Sequence, residues 1–188
     1  MARDRLKSTL AGCLLAVAAG GAVAGCGDAV PGVDEPAREG LTLDVGGLEY
    51  TVFITRELNP SITPDKALYG GPPAAKDRAL YGVFLTVCNP EDAGESLIAT
   101  EDFVVEDNQG TQFEPVDLPE ENDFAYQPKE LVPGDCVPED GSVADQGPTS
   151  GAMLLFDFPL ANTENRPLNL VITPPAGGGE PKEVELDL

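Results

Sequence analysis

The chain has 188 residues, with 33 Asp+Glu against 11 Lys+Arg, a net charge of −22, 21 Gly, 18 Pro, and neither histidine nor tryptophan. Without histidine, Ser-His-Asp and Cys-His catalytic sites are excluded, as are His-bound zinc, copper and haem. So acidic a surface also repels nucleic acid and anionic headgroups, and the Gly and Pro content favours a loop-rich β protein.

Arg3, Arg5 and Lys7 open the chain, and the uncharged run LAGCLLAVAAGGAVAG follows at 10–25. That run falls short of the roughly 18–20 strongly apolar residues a spanning helix needs, so residues 1–25 read as a cleaved signal peptide. At its end, Val23-Ala24-Gly25-Cys26 resembles a bacterial lipobox, in which small residues before the cysteine fit a narrow peptidase site. The resemblance implies cleavage before Cys26, a diacylglycerol on its sulfur, and attachment to the extracytoplasmic face of the cell membrane. The alternative is ordinary secretion with Cys26 as a spare thiol. Residues 1–25 hold three basic side chains and one acidic one, so the remainder carries 8 Lys+Arg, 32 Asp+Glu and a net charge of −24.

Residues 26–40 contain two prolines and no apolar periodicity, and read as a flexible linker. The domain is then expected over 41–188. LTLDV (41–45) alternates apolar and polar, Gly46-Gly47 makes a tight turn, and LEYTVFITREL (48–58) alternates again through Leu48, Tyr50, Val52 and Ile54. Residues 59–78 hold four prolines and form a long loop, mobile or functional. ALYGVFLTVCN (79–89) is apolar on both faces, Leu80, Phe84 and Cys88 on one and Tyr81, Val83, Leu85 and Val87 on the other. This is the mark of a central strand between two layers. DFVVED (102–107) and TQFEPV (111–116) flank a turn at Asn108-Gln109-Gly110, and an acidic loop with Phe124 and Tyr126 follows. ELVPGD (130–135), the two-faced GAMLLFDFP (151–159), LNLVIT (168–173) and EVELDL (183–188) complete the set. About eight short strands and no amphipathic helix after residue 26 predict an all-β antiparallel sandwich.

Cys13 leaves with the signal and Cys26 takes the lipid, so Cys88 and Cys136 remain as an even pair in an exported chain. A Cys88–Cys136 disulfide is expected; two separate buried thiols are the alternative.

LYGVFLTVCNPEDAGESL, EDFVVEDNQGTQFEPV, LVPGDC, AMLLFDFPL and LNLVI, in that order over residues 41–173, resemble an immunoglobulin-like extracellular domain of unknown function. That domain is carried by lipoproteins of Gram-positive bacteria. More distantly, the chain resembles the mycobacterial secreted immunogenic proteins of similar sandwich fold. The resemblance implies an immunoglobulin-like sandwich without catalytic residues. The matching motifs have structural work: Asn89-Pro90 ends a strand, Gly110 permits a hairpin, and Pro133-Gly134 turns the chain.

Oxygen-only chemistry remains. Two EF-hand alignments fail: Gly110 as sixth loop residue puts Val105 first and Val116 twelfth, and Gly141 puts Cys136 first and Gly147 twelfth. No catalytic residue, metal ligand or cofactor is therefore assigned. The leading expectation is a monomeric lipoprotein, held to the membrane through Cys26, presenting a non-catalytic domain to an envelope protein partner. One alternative is a lipoprotein that captures a cation such as Ca²⁺ with acidic loops, at Glu120-Glu121-Asn122-Asp123 or Glu139-Asp140. The other is a carboxylate-based hydrolase.

Overall fold

A computed structural model describes residues 30–188. In chain order its strands are β1 Ala37–Arg38, β2 Thr42–Val45, β3 Leu48–Leu58, β4 Arg78–Cys88, β5 Leu97–Ile98 and β6 Phe103–Glu106. There follow β7 Gln112–Phe113, β8 Glu130–Leu131, β9 Cys136–Val137, β10 Ala152–Pro159, β11 Asn169–Ile172 and β12 Lys182–Glu185. A single-turn helix, α1 (Asp65–Leu68), lies between β3 and β4. One sheet has the order β1-β12-β11-β6-β7; the other runs β10-β4-β3-β2, with β9 continuing the β10 edge of β4. All pairings are antiparallel except β1 with β12. A third, two-stranded sheet joins β5 to β8.

The fold is the all-β sandwich expected. Every anticipated strand is present, although 111–116 and 130–135 supply only two strand residues each. Gly46 and Gly47 both take positive φ, 64° and 87°, as a two-residue hairpin turn requires. The two-faced reading of β4 and β10 holds. Val83, Leu85 and Val87 with Leu154, Phe156 and Phe158 face Phe103, Val105, Leu170, Ile172 and Val184 across the main core. Leu80, Phe84, Met153 and Leu155 point the other way into a second cluster.

That second cluster corrects the expectation for 59–78. The loop is anchored rather than mobile: Leu68 of α1, with Phe124 and Leu118 from the acidic loop, covers the outer face of β4 and β10. Burial of such side chains contributes roughly 1.5–3 kcal/mol each, enough to hold a segment of low intrinsic order. Asp65 pins it further, accepting from the Asn59 amide at 2.8 Å and from Arg56 Nη2 at 2.5 Å, with the guanidinium over the Phe84 ring. Burial alone would raise the Asp65 carboxyl, but those donors outweigh it and hold it below the ordinary range.

Two further expectations change. Residues 30–40 of the anticipated linker fold onto the domain: Ala37 is 2% exposed in the main core, and β1 pairs beside Val184 and Glu185. Gly32 C=O also accepts from Glu183 N–H, so the chain packs on the sandwich from Gly32 onward. A short parallel strand carries too few residues to show periodicity, so composition alone hid it. In β3 the alternation breaks at a bulge between Val52 and Ile54, which leaves Phe53 and Ile54 both exposed and turns Thr55 inward.

Asp107 closes the end of the sandwich. Its carboxylate accepts from Asn162 Nδ2, Asn165 Nδ2 and the Gln109 and Thr111 amides at 2.8–3.0 Å. The Asn162 amide leads the donors that hold its pKa well below the usual carboxylate range. A depressed folded pKa contributes stability that is complete above the unfolded value of about 3.9 and declines as pH falls toward the lower folded value. Stability of the wild-type protein should thus fall more steeply between about pH 5 and 2 than that of Asp107→Asn, measured by urea unfolding across that range. Parallel curves would remove Asp107 as the acid-sensitive group.

Candidate functional site

Of the residues assigned roles from sequence, Val23, Ala24, Gly25 and Cys26 lie outside the described residues. Cys88 and Cys136 face each other directly across β4 and β9, Cα atoms 4.1 Å apart, and are joined as a disulfide. Beside them Asn89, 1% exposed, ties three segments together. Its amide donates to Asp135 C=O, its carbonyl accepts from Gly134 N–H, and Nδ2 donates to Glu95 C=O at 3.0 Å and Leu131 C=O at 2.9 Å.

Glu120 and Asp123 line one hollow of about 260 Å³ together with Glu139, but among the described residues the two acidic stretches form no metal-binding cluster. Glu139 is engaged by Lys129 Nζ at 2.6 Å, whose hydrogen bond and charge hold its carboxyl below the ordinary range. Asn122 Nδ2 donates to Leu68 C=O, fastening the Glu120–Asp123 stretch to α1. Among the described residues, no three Cys, Asp or Glu side chains gather closely enough to share a metal ion.

The feature that sequence reasoning missed is a groove of about 640 Å³ at the side of the sandwich. Three segments form it. Residues 101–104 enter β6, residues 114–118 leave β7 and cross from the first sheet to the second, and Met153, Leu154 and Leu155 of β10 lie behind them. The crossing is held where Val116 N–H donates to Leu155 C=O at 2.6 Å. Tyr126 and Pro128 form the remaining wall. Around this apolar floor stand Glu101, Asp102, Glu114 and Asp117, all exposed, none with an ion-pair partner among the described residues. Pro115, a proline late in an anticipated strand, was the one sequence signal that pairing must stop there.

Behind the groove Thr100 organises a rigid corner. Its amide donates to the Tyr50 hydroxyl at 2.9 Å, Tyr126 Oη donates to its carbonyl at 2.7 Å, and Oγ1 donates to Thr173 C=O. Phe103 packs edge-on against the Tyr126 ring, centroids 5.1 Å apart. Burial, then the neighbouring Tyr50, pushes the Tyr126 phenol far above its ordinary pKa, and burial likewise raises Tyr50. Both phenols stay neutral at physiological pH and serve as fixed hydrogen-bonding groups.

No family model matches the chain, and no curated protein matches it. Three solved structures are similar at low identity. The yjhA protein of Bacillus subtilis is 16% identical with a TM-score of 0.47, over 80% of this chain and 98% of that one. The candidate lipoprotein ycdA of Bacillus subtilis is 16% identical with a TM-score of 0.48, over 79% of this chain and 38% of that longer one. An uncharacterized β-sandwich protein of Clostridium difficile 630 is 15% identical with a TM-score of 0.47, over 79% and 91%. Likenesses this remote carry nothing about ligand, partner or anchoring.

Proposed function

We propose that this protein is a lipoprotein held by Cys26 to the extracytoplasmic face of the cell membrane. There it presents a non-catalytic immunoglobulin-like sandwich, as a monomer, for binding or accessory structural work with an envelope protein. The observation that carries the reading is Val23-Ala24-Gly25-Cys26 at the end of an uncharged run behind three basic residues. Two acyl chains on one residue anchor firmly, since each buried methylene adds about 0.8 kcal/mol. The non-catalytic part is supported by the absence of histidine and by the structural employment of Asp65 and Asp107, whose carboxylates are held by hydrogen bonds within the fold.

Cys26→Ser should abolish incorporation of labelled palmitate in the native host and move the protein from the membrane fraction to the soluble extracytoplasmic fraction. Retention of both label and membrane association would reject the anchor. Folding of the sandwich, followed by circular dichroism, should be unchanged by that substitution.

A further inference from the structure

The wall of the groove contains a break in a sheet. Along β6 the even-numbered residues bond toward β11, a pattern that Thr173 N–H continues by donating to Asp102 C=O. Odd-numbered residues face the opposite way, where Asp107 N–H donates to Thr111 C=O and Val105 pairs with Phe113. Phe103 is the next odd residue. The residue due opposite it is Pro115, which has no N–H to give, and by Val116 the strand has already turned to Leu155. On the other side, the chain leading into β8 meets this edge only as far as Ala99, which donates to Lys129 C=O. Phe103 N–H and C=O therefore have no hydrogen-bond partner among the described residues, although Phe103 is only 2% exposed. Buried backbone groups are almost always paired, so the gap marks a place for an incoming partner.

We infer that the groove docks an extended, positively charged segment of a second protein. One of its peptide units completes the ladder at Phe103, and its lysine or arginine side chains meet Glu101, Asp102, Glu114 and Asp117. Strand addition of this kind draws affinity from main-chain bonds and specificity from the flanking side chains. The carboxylates select the charge, and exposed Val116 at the groove meets an apolar side chain between basic ones. The inference rests on the sandwich being a binding domain and is independent of the lipid on Cys26.

The test uses the full chain in detergent micelles, titrated with an alternating Arg-Val hexapeptide, an alternating Glu-Val hexapeptide and spermine. Binding is read by calorimetry and by amide hydrogen exchange at Phe103. The Arg-Val peptide should bind and slow exchange at Phe103, and the Glu-Val peptide should do neither. The variant Glu101→Gln/Asp102→Asn/Glu114→Gln/Asp117→Asn should bind Arg-Val about tenfold more weakly at low salt, with its melting temperature no lower. Undiminished binding by that variant, or unchanged exchange at Phe103, overturns the proposal. Spermine binding as tightly as the peptide also overturns it, because a small amine has no peptide unit for Phe103. If the variant fails to fold, exchange at Phe103 in the wild-type protein decides alone.

Discussion

Replacing the crosslink, as Cys88→Ala/Cys136→Ala, should lower the unfolding free energy by about 4 kcal/mol, the chain-entropy value for the 48-residue separation it spans. The context argues for an effect of that size. β9 is two residues long and pairs only with β4, through Val87↔Val137 and Cys88↔Cys136. The stretch after it, up to β10, is turn and bend with only Ala144 buried among its hydrophobics. Without the crosslink, β9 is expected to leave the edge of β4 before the sandwich unfolds. Urea unfolding of the oxidised protein and the double variant checks the figure, and a loss below about 1 kcal/mol would show that the crosslink constrains little.

Asn89→Asp should be comparably severe, destabilising by about 3–5 kcal/mol. Nδ2 gives two hydrogen bonds to carbonyls, of Glu95 and Leu131, at a residue that is almost wholly buried. A carboxylate there has nothing to donate and faces two acceptors. Asn89→Ala removes the donors without adding charge and should cost about 2 kcal/mol, so the order of the two variants distinguishes burial of charge from loss of bonds. Equal losses in denaturant unfolding at neutral pH would contradict that ordering. At pH 4 the gap between them should narrow, because the introduced carboxyl, once protonated, regains one donor.

The strongly patterned elements were legible before the structure. Eleven residues of β4, apolar on both faces, announced a strand between two layers, and the structure places Val83 and Phe84 in separate cores. Alternation located β2 and β3 because side-chain direction in a strand repeats every two residues, and β10, like β4, was legible from apolar residues on both faces. What stayed hidden depends on distance along the chain. Leu68 looks like a stray apolar residue in a proline-rich loop until Phe84 and Met153, far away in sequence, supply the surface it covers. The bulge at Phe53 is equally silent, since nothing local distinguishes an alternation that continues from one that slips by a residue.

The groove was the least legible part. Its carboxylates come from Glu101–Asp102 and Glu114–Asp117, separated by a hairpin, and they meet only because Pro115 ends the pairing and Val116 crosses to the opposite sheet. A proline in a strand warns of an interruption but does not say where the chain goes next. Cys88 and Cys136, by contrast, were legible because the number of cysteines left few pairings to choose from.

The most direct measurement is the mass of the N-terminal peptide of the protein purified from the envelope of its own host. The account predicts a peptide beginning at Cys26 and carrying a diacylglyceryl thioether. A peptide still bearing residues 1–25, or a free Cys26 thiol, would contradict it.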